Sequence, residues 1–132
     1  SGFGTGGTIS GIGEVLKRQN PSIKIWAVEP ENAAILSGGS VGTHLQMGIG
    51  DGLIPENLNT TIYEHICVIS DAQAIETAKR LASEEGIMCG ISSGSNVAAA
   101  IKLARRLGKG KTVVTVLPDT GERYFSTVLF ED

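Results

Sequence analysis

The sequence predicts an α/β fold in which a partial parallel sheet is flanked by helices. Three observations carry that expectation. Apolar stretches rich in β-branched residues alternate with amphipathic or alanine-rich stretches, glycines cluster at the junctions between them, and one cluster, "SGFGTGGT", opens directly into a helix-period pattern. In a fold of this class, ligands gather beyond the carboxyl ends of the strands.

The elements follow in order. From Thr8 to Gln19, Ile9, Ile12, Val15 and Leu16 recur at three- and four-residue spacing, which predicts an amphipathic helix stopped by Asn20-Pro21. "IKIWAVEP" (23–30) reads as a short buried parallel strand, with Trp26 in the core. Residues 30 to 60 are rich in Gly and Pro, apart from a short helix expected at Asn32 to Leu36, and contain the dense loop signal "MGIGDGLIPENL". A loop of this length in a compact domain is usually functional.

"TIYEHICVIS" reads as the next strand. Ser70, with Gln73 three residues on, forms a capping box for a helix that ends at Gly86. "GIMCGISSG" is expected to be a brief extended segment running into a Ser/Gly turn, with Ser93 or Ser95 capping the alanine-rich helix "SNVAAAIKLARRLG" and Gly108 ending it. "KTVVTVLPD" (111–119) is the clearest buried-strand pattern in the chain.

At 132 residues, with 41% apolar and 19% charged residues, the chain suits one partial domain spanning 1–132. A net charge of −3 with no basic stripe gives no case for nucleic acid or an anionic membrane. No apolar run approaches the roughly 20 residues that span a bilayer, and no secretory signal pattern precedes the first motif, so a soluble, cytoplasmic protein is expected. Cys67 and Cys89 lack any clip spacing for a metal and are expected to be reduced, packed thiols. His44 and His65 have no sequence partner that would make either catalytic.

The opening glycines admit two functional readings. Counted at Gly2, Gly4 and Gly7 they match a dinucleotide fingerprint, with Glu29 standing about 20 residues on where a ribose would be held. Counted as Gly4, Thr5, Gly6, Gly7 and Thr8 they form a cup of amides and hydroxyls at a helix N-terminus, suited to a phosphate monoester. A plain tight turn before a helix is the bland third reading.

Four ordered motifs decide among them: "GTGGT" at 4–8, "GIGDGLIP" at 48–55, "EEGIMCGISSG" at 84–94 and "LPDTGERY" at 117–124. Together with "AVEP" and the closing "STVLFED", they make the chain resemble, essentially end to end, the C-terminal part of the large domain of the cysteine synthases. These are the O-acetylserine sulfhydrylases among the fold-type II pyridoxal phosphate enzymes.

The resemblance implies that Gly4, Thr5, Gly6, Gly7 and Thr8 hold the phosphate of pyridoxal 5′-phosphate and that Ser92 meets its pyridine nitrogen. A neutral hydroxyl there, unlike an Asp, gives little reason to keep that nitrogen protonated, which suits β-elimination and replacement. Gly48, Ile49 and Gly50 match the family's substrate-side loop, where glycines allow close backbone approach, and Pro118 and Asp119 match the stretch beside the pyridine end. The family commonly has Gln before the first loop glycine, whereas this chain has Met47, with Gln46 one place earlier. Glu122-Arg123 is expected to be a structural ion pair or loop anchor.

The implied activity is formation of L-cysteine from O-acetyl-L-serine and sulfide in a homodimeric parent enzyme, whose active-site cleft in this family also takes the C-terminal tail of serine acetyltransferase. The family's Schiff-base lysine lies upstream of the phosphate loop in a Ser-x-Lys-Asp context. Lys17, Lys24, Lys79, Lys102, Lys109 and Lys111 all lack that context, so the residues in hand are expected to be a C-terminal fragment, inactive alone. The rival readings are a cystathionine β-synthase or a serine or threonine dehydratase within the same fold, a dinucleotide-binding oxidoreductase domain, and a non-catalytic binding module.

Overall fold

The computed structural model describes residues 1–130. Helix α1 (Gly7–Gln19) leads to strand β1 (Trp26–Pro30), and strand β2 (His65–Ile69) is followed by helices α2 (Asp71–Glu85) and α3 (Ile91–Leu107). Two 3-10 turns, Glu31–Ala33 and Gly121–Tyr124, complete the regular structure; the first replaces the longer helix expected at 32–36.

β1 and β2 pair in parallel, with Trp26 opposite His65 and Pro30 opposite Ile69. Successive side chains point to opposite faces, so one strand serves two cores. Val28, Cys67 and Ile69 pack toward Ala74 and Ala78 of α2 and Ile91, Ala98 and Ala99 of α3. Ala27 faces the other way, into a cluster with Phe3, Ile9, Leu58 and Ile62. A parallel sheet covered on both faces is the expected arrangement.

The helices behave largely as their sequences dictate. Ser70 caps α2 with both halves of the capping box formed, and Gly86 closes it in the left-handed conformation. α2 and α3 approach closely at Gly94, where an added Cβ would lie 2.0 Å from the Ala74 carbonyl oxygen. Trp26 borders the core rather than filling it: it is half-buried, tilted against His65 at 4.1 Å, with the Arg106 guanidinium 5.7 Å from its ring.

The segment 111–116 departs from expectation. It makes no strand ladder among the described residues, and Val114 is 85% exposed. Strand propensity needs a neighbour to pair with, and here a cleft of about 700 Å³ separates this segment from β1, with α1 and α3 forming the other walls. Along β1's free edge, Ser1–Gly2 runs parallel: Val28 N–H donates to the Ser1 carbonyl and Gly2 bridges Val28. Asn96 of α3 connects the two sides, accepting from Gly2 N–H at 2.7 Å and donating to the Val116 carbonyl at 2.8 Å.

Candidate active site

The glycine-threonine loop ends in Gly6, the N-cap of α1, held at φ +83°. A side chain there would run into the backbone of Leu58, so glycine is required on both conformational and steric grounds. Gly7 N–H donates to Thr5 Oγ1 at 3.4 Å and Ser10 N–H returns to the Gly6 carbonyl at 3.1 Å. The intervening amides of Thr8 and Ile9 belong to the first turn and have no carbonyl one turn earlier within the helix. α1 carries no acidic residue in that turn, which leaves its positive end open to an anion.

Residues 44–51 form the other wall. Gly50 N–H donates to the Phe3 carbonyl at 3.1 Å, a Cβ on Gly4 would lie 2.4 Å from the Gly48 carbonyl oxygen, and a Cβ on Gly2 would lie 2.8 Å from buried Ile49. The structure thus brings Gly48–Gly50 directly onto Gly2–Gly4, although more than 40 residues of chain separate them. Met47 is 61% exposed, whereas Gln46 is wholly buried. Gln46 Nε2 donates to the Ile69 carbonyl at 2.8 Å and to Asp71 Oδ1 at 2.9 Å, and its oxygen accepts from Ser95 Oγ at 2.8 Å.

The third component is the start of α3. The helix begins at Ile91 with Gly90 as an N-cap that offers no side-chain bond, so Ser93 and Ser95 lie within the first turns and neither caps the helix. Their hydroxyls are occupied by distant partners instead. Ser93 donates to Asp119 Oδ1 at 2.8 Å, and Ser95 bonds Gln46 as well as the Ile91 carbonyl. Ser92 is buried yet makes no side-chain hydrogen bond among the described residues, and its oxygen keeps some solvent access.

Asp119 is the hub of this end. It accepts from Ser93 and from the Tyr124 hydroxyl, and its backbone carbonyl accepts from Gly90 N–H. Gly90 is glycine because a Cβ there would lie 2.1 Å from the Asp119 carboxylate. Burial, reinforced by the bond to Asp119, pushes the Tyr124 phenol up to about 12. Burial also raises the Cys89 thiol, with the Asp119 charge adding to it, so Cys89 is a packed thiol. Pro118 is exposed, and Glu122 and Arg123 stand exposed with no ion pair between them, which removes the ion-pair alternative expected there.

Glu29 overturns the dinucleotide reading. Its carboxylate is fully buried and accepts from the amides of Leu36 at 2.9 Å and Ser37 at 3.0 Å and from the Ser37 hydroxyl. It holds the turn after β1 and has no face left for a ribose. Sequence reasoning gave His44 no functional role, noted Gln46 only as the residue before Met47, and passed over Asn96. The signal available for them was a polar residue beside a glycine loop or in the first turns of an alanine-rich helix.

Residues 1–119 match a family model described as pyridoxal-phosphate dependent enzyme. The chain is 55% identical over 130 residues to a cysteine synthase of Staphylococcus aureus, covering 98% of this chain and 42% of that relative. It is similar to a cysteine synthase structure from Entamoeba histolytica, with TM-score 0.94 and 42% identity over 97% of this chain and 38% of that one. It is also similar to an O-acetylserine dependent cystathionine beta-synthase structure from Helicobacter pylori, with TM-score 0.93 and 38% identity over 98% of this chain and 42% of that one. The chain therefore spans about two-fifths of the length of the relatives it matches.

Proposed function

The chain belongs to the family of pyridoxal-phosphate dependent enzymes, and on that premise we propose that the protein carrying it makes L-cysteine from O-acetyl-L-serine and sulfide by β-replacement. The observation that carries this reading is Ser92, a buried serine whose hydroxyl has no hydrogen-bond partner among the described residues while the hydroxyls of Ser93 and Ser95 on the same turns are committed. A pyridine nitrogen is the partner it would take.

In this reading residues 1–132 are one partial domain that carries both ends of the cofactor site. The first-turn amides of Thr8 and Ile9 and the Thr5 and Thr8 hydroxyls fit a phosphate monoester. Gly4–Thr8 bind and orient that phosphate, Ser92 bonds the ring nitrogen, and Gly48, Ile49 and Gly50 form the substrate side. Asp119 shapes the pyridine end indirectly, by holding Ser93 and Gly90. The bound cofactor supplies an electron sink for bonds at the substrate α-carbon, and a neutral hydroxyl at its nitrogen tunes that sink toward β-chemistry.

The lysines with assigned partners serve elsewhere: Lys17 pairs with Glu64, and Lys102 bonds the Val68 carbonyl and Gln73. The Schiff-base lysine is accordingly proposed to come from outside these residues, and the 132-residue chain alone to have no turnover. A homodimeric enzyme in a reducing cytoplasm, where Cys67 and Cys89 stay free, and docking of a serine acetyltransferase tail complete the proposal.

The test is a cysteine-forming assay of the full-length protein with O-acetyl-L-serine and sulfide, run beside the same assay with homocysteine in place of sulfide. Cysteine formation several-fold faster than cystathionine formation is expected. Exclusive use of homocysteine would move the assignment to the second reading, which the Helicobacter pylori similarity favours.

A further inference from the structure

His44 lies ahead of the glycine loop, and its ring uses both nitrogens. Nδ1 accepts from Gln46 N–H at 3.1 Å, so the ring proton sits on Nε2, which donates to the Gly50 carbonyl at 3.0 Å. Gly50 in turn donates its own N–H to the Phe3 carbonyl at 3.1 Å. One residue is therefore gripped at its carbonyl by the imidazole and at its amide by Phe3, in the segment that leads into α1.

The fit around Gly50 is close. It holds φ at +70°, and an added Cβ would lie 2.6 Å from the Pro30 ring and 3.1 Å from His44 Nε2. Phe3, on the receiving side, is wedged in the cluster of Ile9, Ala27, Leu58 and Ile62 and is followed at once by Gly4, whose α-carbon faces the Gly48 carbonyl. A shift of Gly50 is thereby delivered to the first residue of the cup.

We propose that His44 is a positioning residue for the phosphate cup: it locks Gly50, and through the Gly50–Phe3 bond it sets the place of Gly4–Thr8. The proposal rests on the reading of that cup as the seat of the cofactor phosphate. His44 touches neither cofactor nor substrate, and it acts through backbone geometry alone.

The test uses the full-length protein and three variants. His44→Phe loses both bonds. His44→Asn keeps an oxygen able to accept from Gln46 N–H but does not reach Gly50, and His44→Gln carries an amide long enough to donate to the Gly50 carbonyl. The dissociation constant for pyridoxal 5′-phosphate is expected to rise about five- to tenfold in the Phe and Asn variants and to return toward the parent value in the Gln variant. The ³¹P shift of the bound phosphate should move in the same order.

Rescue by Asn and not by Gln would overturn the proposal, because the local turn at Gln46 would then be the whole role. Unchanged affinity in all three would overturn it too. Hydrogen exchange of the Gly50 amide reads the lock without any ligand: faster exchange in the Asn variant than in the Gln variant is expected, and equal exchange would sink the lock itself. If the unsubstituted protein bound neither the cofactor nor inorganic phosphate at Gly4–Thr8, the functional reading would fail, while the exchange measurement would still decide the link from His44 to Gly50. Should His44→Phe not fold, the Asn and Gln pair decides alone.

Discussion

Gly4 and Gly48 meet backbone to backbone, with no room for a side chain on Gly4: its first carbon would stand 2.4 Å from the Gly48 carbonyl oxygen. Two loops from distant parts of the chain are thus seated on each other at the start of the Gly4–Thr8 loop. Gly4→Ala must push them apart. It is expected to destabilise the fold by about 1–3 kcal/mol, as overpacking does, and to weaken pyridoxal phosphate binding at least tenfold. Chemical denaturation and a cofactor titration on the same preparation check both.

The serines opening α3 separate binding from stability. Ser92→Ala removes a hydroxyl with no hydrogen-bond partner among the described residues and is expected to change stability by no more than about 0.5 kcal/mol while impairing turnover of the full-length protein. Ser95→Ala leaves the buried Gln46 oxygen without its donor and should cost about 1–3 kcal/mol. Ser93→Ala falls between them, because Asp119 keeps Tyr124. A denaturation series on the three variants tests this order, and a Ser92→Ala variant as unstable as Ser95→Ala would contradict it.

Tyr124 gives the fold an alkaline limit. Its pKa rises to about 12 in the folded chain from an ordinary value near 10, so the folded form holds the proton more tightly than the unfolded one. The stabilisation it contributes is complete below pH of about 10 and is lost as pH climbs through about 12. Tyr124→Phe should flatten that part of the stability profile, read by thermal unfolding across the range, and should remove the later-titrating phenol from the ultraviolet titration.

Glu29 is predicted to be structural. Glu29→Gln sets an amide against the amides of Leu36 and Ser37 and should cost about 2–3 kcal/mol, since bonds to a charged acceptor are lost. Cofactor affinity at saturating folded fraction should be unaffected. A selective loss of cofactor binding with unchanged unfolding would refute that assignment.

Local patterns were legible where the chain decides its own conformation. The three- and four-residue spacing of Ile9, Ile12, Val15 and Leu16 marked α1, and Ser70 with Gln73 marked the start of α2 to the residue. The glycine loop leading into α1 was legible too, because glycine before a helix-period pattern has a local physical meaning. What escaped depends on partners far along the chain. "GISSG" reads locally as a turn, yet the helix begins at Ile91, four residues before the expected start at Ser95, with Ser93, Ser95 and Asn96 satisfying their polar groups on Asp119, Gln46, Gly2 and Val116. Gln46 itself, in a loop, gave no sign that it would be buried. The pattern at 111–116 announced a strand, but a strand exists only in a ladder, and its β-branched side chains instead line the cleft beside β1.

Asn96 gives that cleft a fixed gauge. Its single amide accepts from one side and donates to the other, doing between Gly2 and Val116 what a peptide group does between neighbouring strands. The two flanks at that end are therefore spanned by the length of one side chain. Asn96 is in this sense a crossbar, one amide tying the loop ahead of α1 to the segment that follows α3.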